Sequence, residues 1–194
     1  MGAGPLVALR RPSPAAVAAF LVTQRDAPPA FPAPLPDAAP PGFVLDTYAL
    51  ELGRGVAAFR AARAALFAWR HVDLGWLDVQ PRERPPRTGD VVAMLARVGG
   101  AWFANACRVR AVFDDPGRAG YEYVTLPAHV ERGAERFSVT WAGGDAPVRF
   151  EIRAVSRPGP WWVAAGRPLA RASQRRFGRE SPAALLRAVH EAGA

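Results

Sequence analysis

Apolar residues recur at two spacings along this chain, and the switches between them lay out the elements. Val17, Phe20 and Leu21 fall three and four apart behind Ser13-Pro14. A Ser that can cap and a Pro at the first helical position predict a short helix ending near Asp26. Residues 27–42 are dominated by Pro and Ala and predict no regular element, yet Phe31 and Leu35 suggest a strap lying on the domain surface. Residues 43–50 read as a strand, and Gly53-Arg54-Gly55 as a turn. Val56, Phe59, Ala62, Leu66 and Trp69 then share one face of a 3.6-residue period, with Arg60, Arg63 and Arg70 elsewhere, so a helix is expected over 56–69. Residues 76–79 predict a short strand and 82–89 a polar, Pro-rich loop.

From Val91 the period becomes two. Residues 91–98 are nearly all apolar, which suits a strand covered on both faces or strongly curved, and Gly99-Gly100 signals a hairpin. On 101–113, Phe103, Asn105, Cys107, Val109, Ala111 and Phe113 alternate with Trp102, Arg108, Arg110 and Val112. After the Asp114-Asp115-Pro116-Gly117 turn come a strand over 121–126, a loop over 127–133, and strands over 135–142 and 148–156 joined at Gly143-Gly144-Asp145. Phe137, Val139 and Trp141 alternate with Arg136, Ser138 and Thr140, and Phe150, Ile152 and Ala154 with Arg149, Glu151 and Arg153. The remainder, carrying Trp161, Trp162, Leu169, Phe177, Leu185 and Val189, is mostly helical in pattern. Pro168 and Pro182 are expected to start or kink helical pieces, Ser181-Pro182 repeating the Ser-Pro cap pattern.

Strand, helix, antiparallel meander, helix is the order of an α+β helix-grip fold, in which a curved sheet wraps a long C-terminal helix around a cavity. The expected organisation is an N-terminal helix and Pro/Ala-rich strap over residues 1–42 and a helix-grip domain over 43–194. Phe103, Phe137, Phe150 and Ile152 are expected to face the C-terminal helix.

Strand alternation also selects the polar residues on the inward face. Asn105 is in register with Phe103 and Cys107; Tyr121, Tyr123 and Thr125 share one face; Glu135 has the parity of Phe137; Ser156 follows Ile152 and Ala154. Inward polar groups must be hydrogen-bonded or aimed at a ligand. The expected function is therefore binding of a small apolar molecule or lipid, with Asn105, Tyr121, Tyr123, Thr125 and Glu135 orienting its polar end and His129 at the mouth. The loop brings His129 and Glu131 near Glu135, so an alternative is a cyclase- or hydro-lyase-type enzyme with His129 and Glu135 as acid and base. In that arrangement a carboxylate neighbour is expected to raise the His129 pKa. A third reading is an anionic-surface binder, lipid or nucleic acid, through Arg167, Arg171, Arg175 and Arg179, which recur every four residues as one basic stripe, helped by Trp161 and Trp162.

Composition narrows this little. The net charge is +8, and all 25 basic residues are Arg, with no Lys. That bias accompanies abundant Ala, Gly and Pro and fits coding composition, so no specific nucleic-acid partner is expected. One cysteine, Cys107, allows no internal disulfide or zinc cluster, and on an apolar face it reads as a small buried hydrophobe. His71, His129 and His190 show no metal-ligand spacing, so no metal or cofactor is expected. No stretch approaches the roughly 20 apolar residues of a membrane span, and a cytoplasmic protein is the expectation.

The residues also carry a resemblance. Gly53-Arg54-Gly55 with Phe59, Ala62 and Trp69; Trp102, Asn105 and Cys107-Arg108-Val109; Tyr123, Thr125-Leu126-Pro127, His129, Glu131, Gly133 and Glu135-Arg136-Phe137; Ile152-Arg153-Ala154, Ser156-Arg157-Pro158 and Gln174-Arg175-Arg176-Phe177 recur together. In these the chain resembles uncharacterised protein family 0548, small bacterial and plant proteins of unknown function, over roughly residues 12–190. The resemblance implies no activity. It implies a fold-level likeness to lipid-transfer and polyketide-cyclase-type, START-like domains.

Overall fold

The computed structural model describes residues 4–31, 34–159 and 167–193. One antiparallel sheet dominates, built from β1 (Leu6–Ala8), β2 (Val44–Arg54), β3 (Leu77–Gln80), β4 (Val91–Val98), β5 (Ala101–Asp115), β6 (Arg118–Thr125), β7 (Glu131–Trp141) and β8 (Pro147–Pro158). The helices are α1 (Pro14–Gln24), α2 (Gly55–Phe67) and α3 (Arg167–Gly193). Strand order is β2-β8-β7-β6-β5-β4-β3, and β1 covers the part of β5 around Trp102–Ala104 that β6 does not reach. This is the curled sheet and C-terminal helix of an α+β helix-grip fold, with the meander from β4 to β8 in chain order.

Two apolar faces explain the sequence pattern of β4. Val92 and Met94 join the inner core with Phe59, Leu66, Trp69, Phe137, Phe150 and Leu185, while Ala93 and Leu95 pack outward beneath Val17 and Phe20 of α1. Ser13 caps α1, its hydroxyl accepting from Ala16 N at 3.2 Å. The strap lies on the outer face as expected. Phe31 and Leu35 are buried against Val124, Ala134 and Val155. Arginines on outward strand positions satisfy the carbonyls of this segment: Arg108 donates to Arg25 O, Arg110 to Phe31 O and Arg153 to Pro36 O and Asp37 O. Such irregular backbone has no ladder partner, so its carbonyls need donors from side chains.

Some sequence expectations are corrected. The alternation along β5 breaks at a bulge between Val109 and Ala111, so Val112, not Ala111 or Phe113, packs against the inner core. One extra residue reverses the face of all that follow. Helix α2 stops at Phe67, and Trp69 is buried from a left-handed backbone conformation (φ 60°) just beyond it. Val56 is exposed, and Ala65 joins Phe59, Ala62 and Leu66 on the buried face. Gly53 and Gly55 both take positive φ, which lets β2 turn into α2 without a loop.

Helix α3 runs continuously through Pro182, and Ser181 does not act as a cap: its buried hydroxyl has no hydrogen-bond partner among the described residues. The described arginines on α3 do not form the one basic stripe that their spacing predicts. Arg171 is turned to the sheet and paired with Asp46, whereas Arg175 and Arg179 are exposed. The Arg167 side chain and Trp161 and Trp162 lie outside the described residues. No described helix is long and apolar enough to cross a membrane.

Candidate functional site

The concave face of the sheet and the first half of α3 line a cavity of about 290 Å³ that is partly open to solvent. Its walls divide by chemistry. Trp76, Leu77, Met94, Ala96, Val98, Phe103, Leu169 and Phe177 make an apolar side. Asp46, Tyr48, Tyr123, His129, Glu131, Glu135, Ser156 and Gln174 make a polar end. Strand parity places them: Asp46 and Tyr48 share a face of β2 with Leu50, Tyr123 and Thr125 of β6, Glu131 and Glu135 of β7, and Ser156 of β8.

The hydrogen bonds at the polar end are specific. Tyr123 Oη donates to Glu135 Oε2 in a short contact. Gln174 Nε2 donates to Glu131 Oε1, also in a short contact, and to Ser156 Oγ at 3.2 Å. Arg171 holds Asp46 through two bonds of 2.6 and 3.0 Å and gives a third to Gln174 Oε1. His129 Nδ1 accepts from Glu131 N at 2.8 Å. That bond keeps Nδ1 unprotonated, so in the neutral ring the proton sits on Nε2.

Burial sets the protonation states. It pushes the Glu135 carboxyl up to about 7, opposed by the Tyr123 bond and assisted by nearby Glu131 and Asp46. Burial also raises Glu131, against the bonds from Gln174 and Ser156. Burial lowers His129 to about 4. The expectation that a carboxylate would raise His129 is thus overturned: Glu135 is engaged with Tyr123 and Glu131 with Gln174, and desolvation prevails. At neutral pH His129 is an uncharged donor and Glu135 is near half-protonated.

The other sequence candidates are placed as follows. Asn105 reaches the cavity, but its amide serves the backbone, donating to Met94 O at 3.4 Å and accepting from Val130 N at 3.3 Å. The Thr125 hydroxyl accepts from Gly133 N at 2.9 Å and donates to Gly133 O at 3.2 Å, fastening the end of β6 to β7. Tyr121 does not line the cavity; it lies in the core with its hydroxyl 2.8 Å from His71 Nε2. Cys107 is buried, its thiol pushed well up by desolvation. Phe137 contacts Phe177 of α3 at a ring separation of 6.2 Å, and Phe103 faces the cavity.

Sequence reasoning missed Asp46, Tyr48 and Gln174. The parity of Asp46 and Tyr48 with Leu50 was the available signal for those two; for Gln174 it was its place in the Gln174-Arg175-Arg176-Phe177 run that carries the family resemblance. His71 was also missed. It is wholly buried among Trp69, Tyr121, Phe137 and Phe150, its pKa pushed down to about 3, with Nδ1 lacking a partner among the described residues. The described residues include no His, Cys, Asp and Glu group that could hold a metal ion.

Fold and cavity together define a helix-grip protein with a partly open, partly polar pocket. Residues 30–184 match the family model described as Domain of unknown function (DUF1990). The chain is 34% identical over 158 residues to a UPF0548 protein of Dictyostelium discoideum, covering 76% of this chain and 73% of that protein. It is 32% identical over 201 residues to a UPF0548 protein of Deinococcus radiodurans, covering 93% and 98% respectively. The chain therefore belongs to the UPF0548 (DUF1990) family. Among solved structures, a hypothetical protein from Helicobacter pylori aligns with a TM-score of 0.49 at 12% identity, covering 77% of this chain and 96% of that one. The di-domain ARO/CYC BexL aligns with a TM-score of 0.45 at 19% identity, covering 77% and 51%. Likeness at this level carries no statement about activity.

Proposed function

We propose that the protein binds a small, largely apolar molecule in the cavity between the sheet and α3, with a hydrogen-bond donor of that molecule at the polar end. The observation that supports this is the division of the walls. The apolar side matches a hydrocarbon or aromatic body. The polar end is rich in acceptors, and the Tyr48 hydroxyl and His129 Nε2–H are the donors there with no hydrogen-bond partner among the described residues. Both Gln174 hydrogens, the Tyr123 proton and the Arg171 fork are already given to partners within the protein. Glu131 and Glu135 have no arginine within ion-pair distance among the described residues, although eleven of the other acids do. A hydroxyl, amide N–H or amine on the ligand meets these oxygens, and the Tyr48 hydroxyl and His129 Nε2–H supply complementary donors.

The test is fluorescence titration with N-phenyl-1-naphthylamine, an apolar probe with one N–H. Saturable one-to-one binding is expected, weakened at least roughly ten-fold in Ala154→Trp, which fills the cavity. Absence of saturable binding, or equal binding by the filled variant, overturns the reading.

One observation favours an acid–base enzyme as a second reading: Glu135, bonded to Tyr123 at the polar end of the pocket, has its carboxyl pushed up to about 7 by burial. In that case Glu135 moves the proton. His129, uncharged at neutral pH, orients the substrate, and turnover follows a single ionisation near 7.

A further inference from the structure

Helix α3 carries a break in its hydrogen-bond ladder near its middle. Pro182 has no N–H to give to the carbonyl four residues back, that of Gly178, and its ring crowds that carbonyl. Ser181 beside it is buried, with a hydroxyl that finds no partner among the described residues. Gly178 is a poor helix former placed where no larger residue fits: a Cβ there would lie 2.2 Å from the Tyr48 ring. Residues 178–182 thus combine a missing bond, an unpaired polar group and a residue without a side chain in consecutive turns.

The two sides of this break are held differently. Beyond it, Ala184, Leu185, Ala188 and Val189 are buried, and three of them belong to the inner core. Before it, the helix roofs the cavity and is fastened mainly by polar contacts: Arg171 to Asp46 of β2, and Gln174 to Glu131 of β7 and Ser156 of β8. Phe177 is its ring contact with the core, and Leu169 is half exposed. These polar attachments are part-buried and can exchange for water when the roof lifts, whereas withdrawing Leu185 and Val189 would expose apolar area with no such replacement. At the break itself, Trp76 Nε1 donates to Glu180 Oε2 at 2.6 Å, which anchors the pivot to the segment before β3, and at the last turn of the roof the Arg176 guanidinium lies 4.6 Å over the same Trp76 ring.

We propose that residues 167–177 of α3 form a hinged cover over the cavity, turning about residues 178–182 and latched by the Asp46–Arg171 and Glu131–Gln174 contacts. Opening separates the roof from β2, β7 and β8 without disturbing the half of the helix seated in the core. The use of this motion, ligand entry, rests on the reading of the cavity given above; the motion itself does not.

Hydrogen exchange on the intact protein tests the hinge. Amides of residues 171–177 are expected to exchange roughly ten-fold or more faster than those of residues 184–190. Pro182→Ala restores the missing N–H and is expected to slow residues 171–177 towards the rate of 184–190; simple fraying from the helix start would be indifferent to that change. Arg171→Gln opens one latch and is expected to speed exchange in 171–177 alone. A common rate for both halves, or no response of 171–177 to either variant, overturns the proposal. Stopped-flow mixing with N-phenyl-1-naphthylamine then tests its use: association several-fold faster in Arg171→Gln and slower in Pro182→Ala. Unchanged association with altered exchange means that the hinge moves but is not the ligand's door. If wild-type protein takes up no probe, the cavity reading fails and the exchange result alone decides the hinge.

Discussion

Replacing Glu135 by glutamine removes one ionisation and keeps an acceptor for the Tyr123 hydroxyl, so its effect on stability isolates a single proton. Folding moves this carboxyl from 4.5 to about 7. The folded protein therefore holds the proton more tightly than the unfolded chain. The contribution is complete below pH 4.5 and is lost as pH rises through 7. Ionising the carboxyl in place costs roughly 3 kcal/mol at about 1.4 kcal/mol per pH unit, and the partial exposure of Glu135 screens part of it, leaving about 2–3 kcal/mol. His71 and His129 act in the opposite sense. Their folded values of about 3 and 4 lie below 6.5, so their contributions are present above pH 6.5 and are lost as pH falls towards those values. Glu131, also raised by burial, adds a slope of the same sign as Glu135. The wild-type profile mixes all of these, but the histidines and Glu131 are common to both proteins. Urea denaturation from pH 4.5 to 8 is expected to show Glu135→Gln gaining about 2–3 kcal/mol on wild type across that range, most of it below pH 7. Two parallel profiles would mean that Glu135 is solvated and ordinary, and the account of a desolvated carboxyl at the polar end would fail with it.

Phe137→Ala removes a fully buried ring packed 4.7 Å from His71 and 5.1 Å from Tyr121 by ring centres, and is expected to cost roughly 3–5 kcal/mol in denaturant titration. Asn105→Leu leaves Val130 N–H and Met94 O without their side-chain partner; a loss of about 1–3 kcal/mol with probe affinity largely retained is expected, and unchanged stability would return Asn105 to the cavity. His129→Ala orphans Glu131 N–H and should cost about 1 kcal/mol while weakening probe binding several-fold; lost stability with normal binding would limit His129 to tying down its loop.

The meander was legible because its strands alternate and its turns carry their own residues. Gly99-Gly100 and Gly143-Gly144 stand where β4 meets β5 and β7 meets β8. The two-sided apolarity of β4 announced a second layer, which α1 supplies. The bulge at Val109–Ala111 was not legible, because it is decided by pairing with β6 and nothing in the sequence marks the extra residue. Parity put Tyr123, Thr125 and Glu135 on the inner face, but it does not give depth. Tyr121 has the same parity as Tyr123 and ends up against His71, a partner 50 positions away. The His129 shift failed for a similar reason. Nearness in sequence to Glu131 and Glu135 suggested a charge partner, yet both carboxylates accept from residues on other elements, Gln174 and Tyr123. The α3 arginines show the limit of helical periodicity. Spacing of four gives a common face, while Asp46 on β2 decides that Arg171 turns inward.

The central claim is that the cavity holds a small molecule, and native mass spectrometry of protein purified without denaturation tests it most directly. Wild-type protein is expected to carry a discrete added mass that is released on denaturation, and Ala154→Trp, with the cavity filled, is expected to carry none. Wild-type protein at its bare mass that also fails to take up N-phenyl-1-naphthylamine, or an identical added mass on the filled variant, would contradict the account.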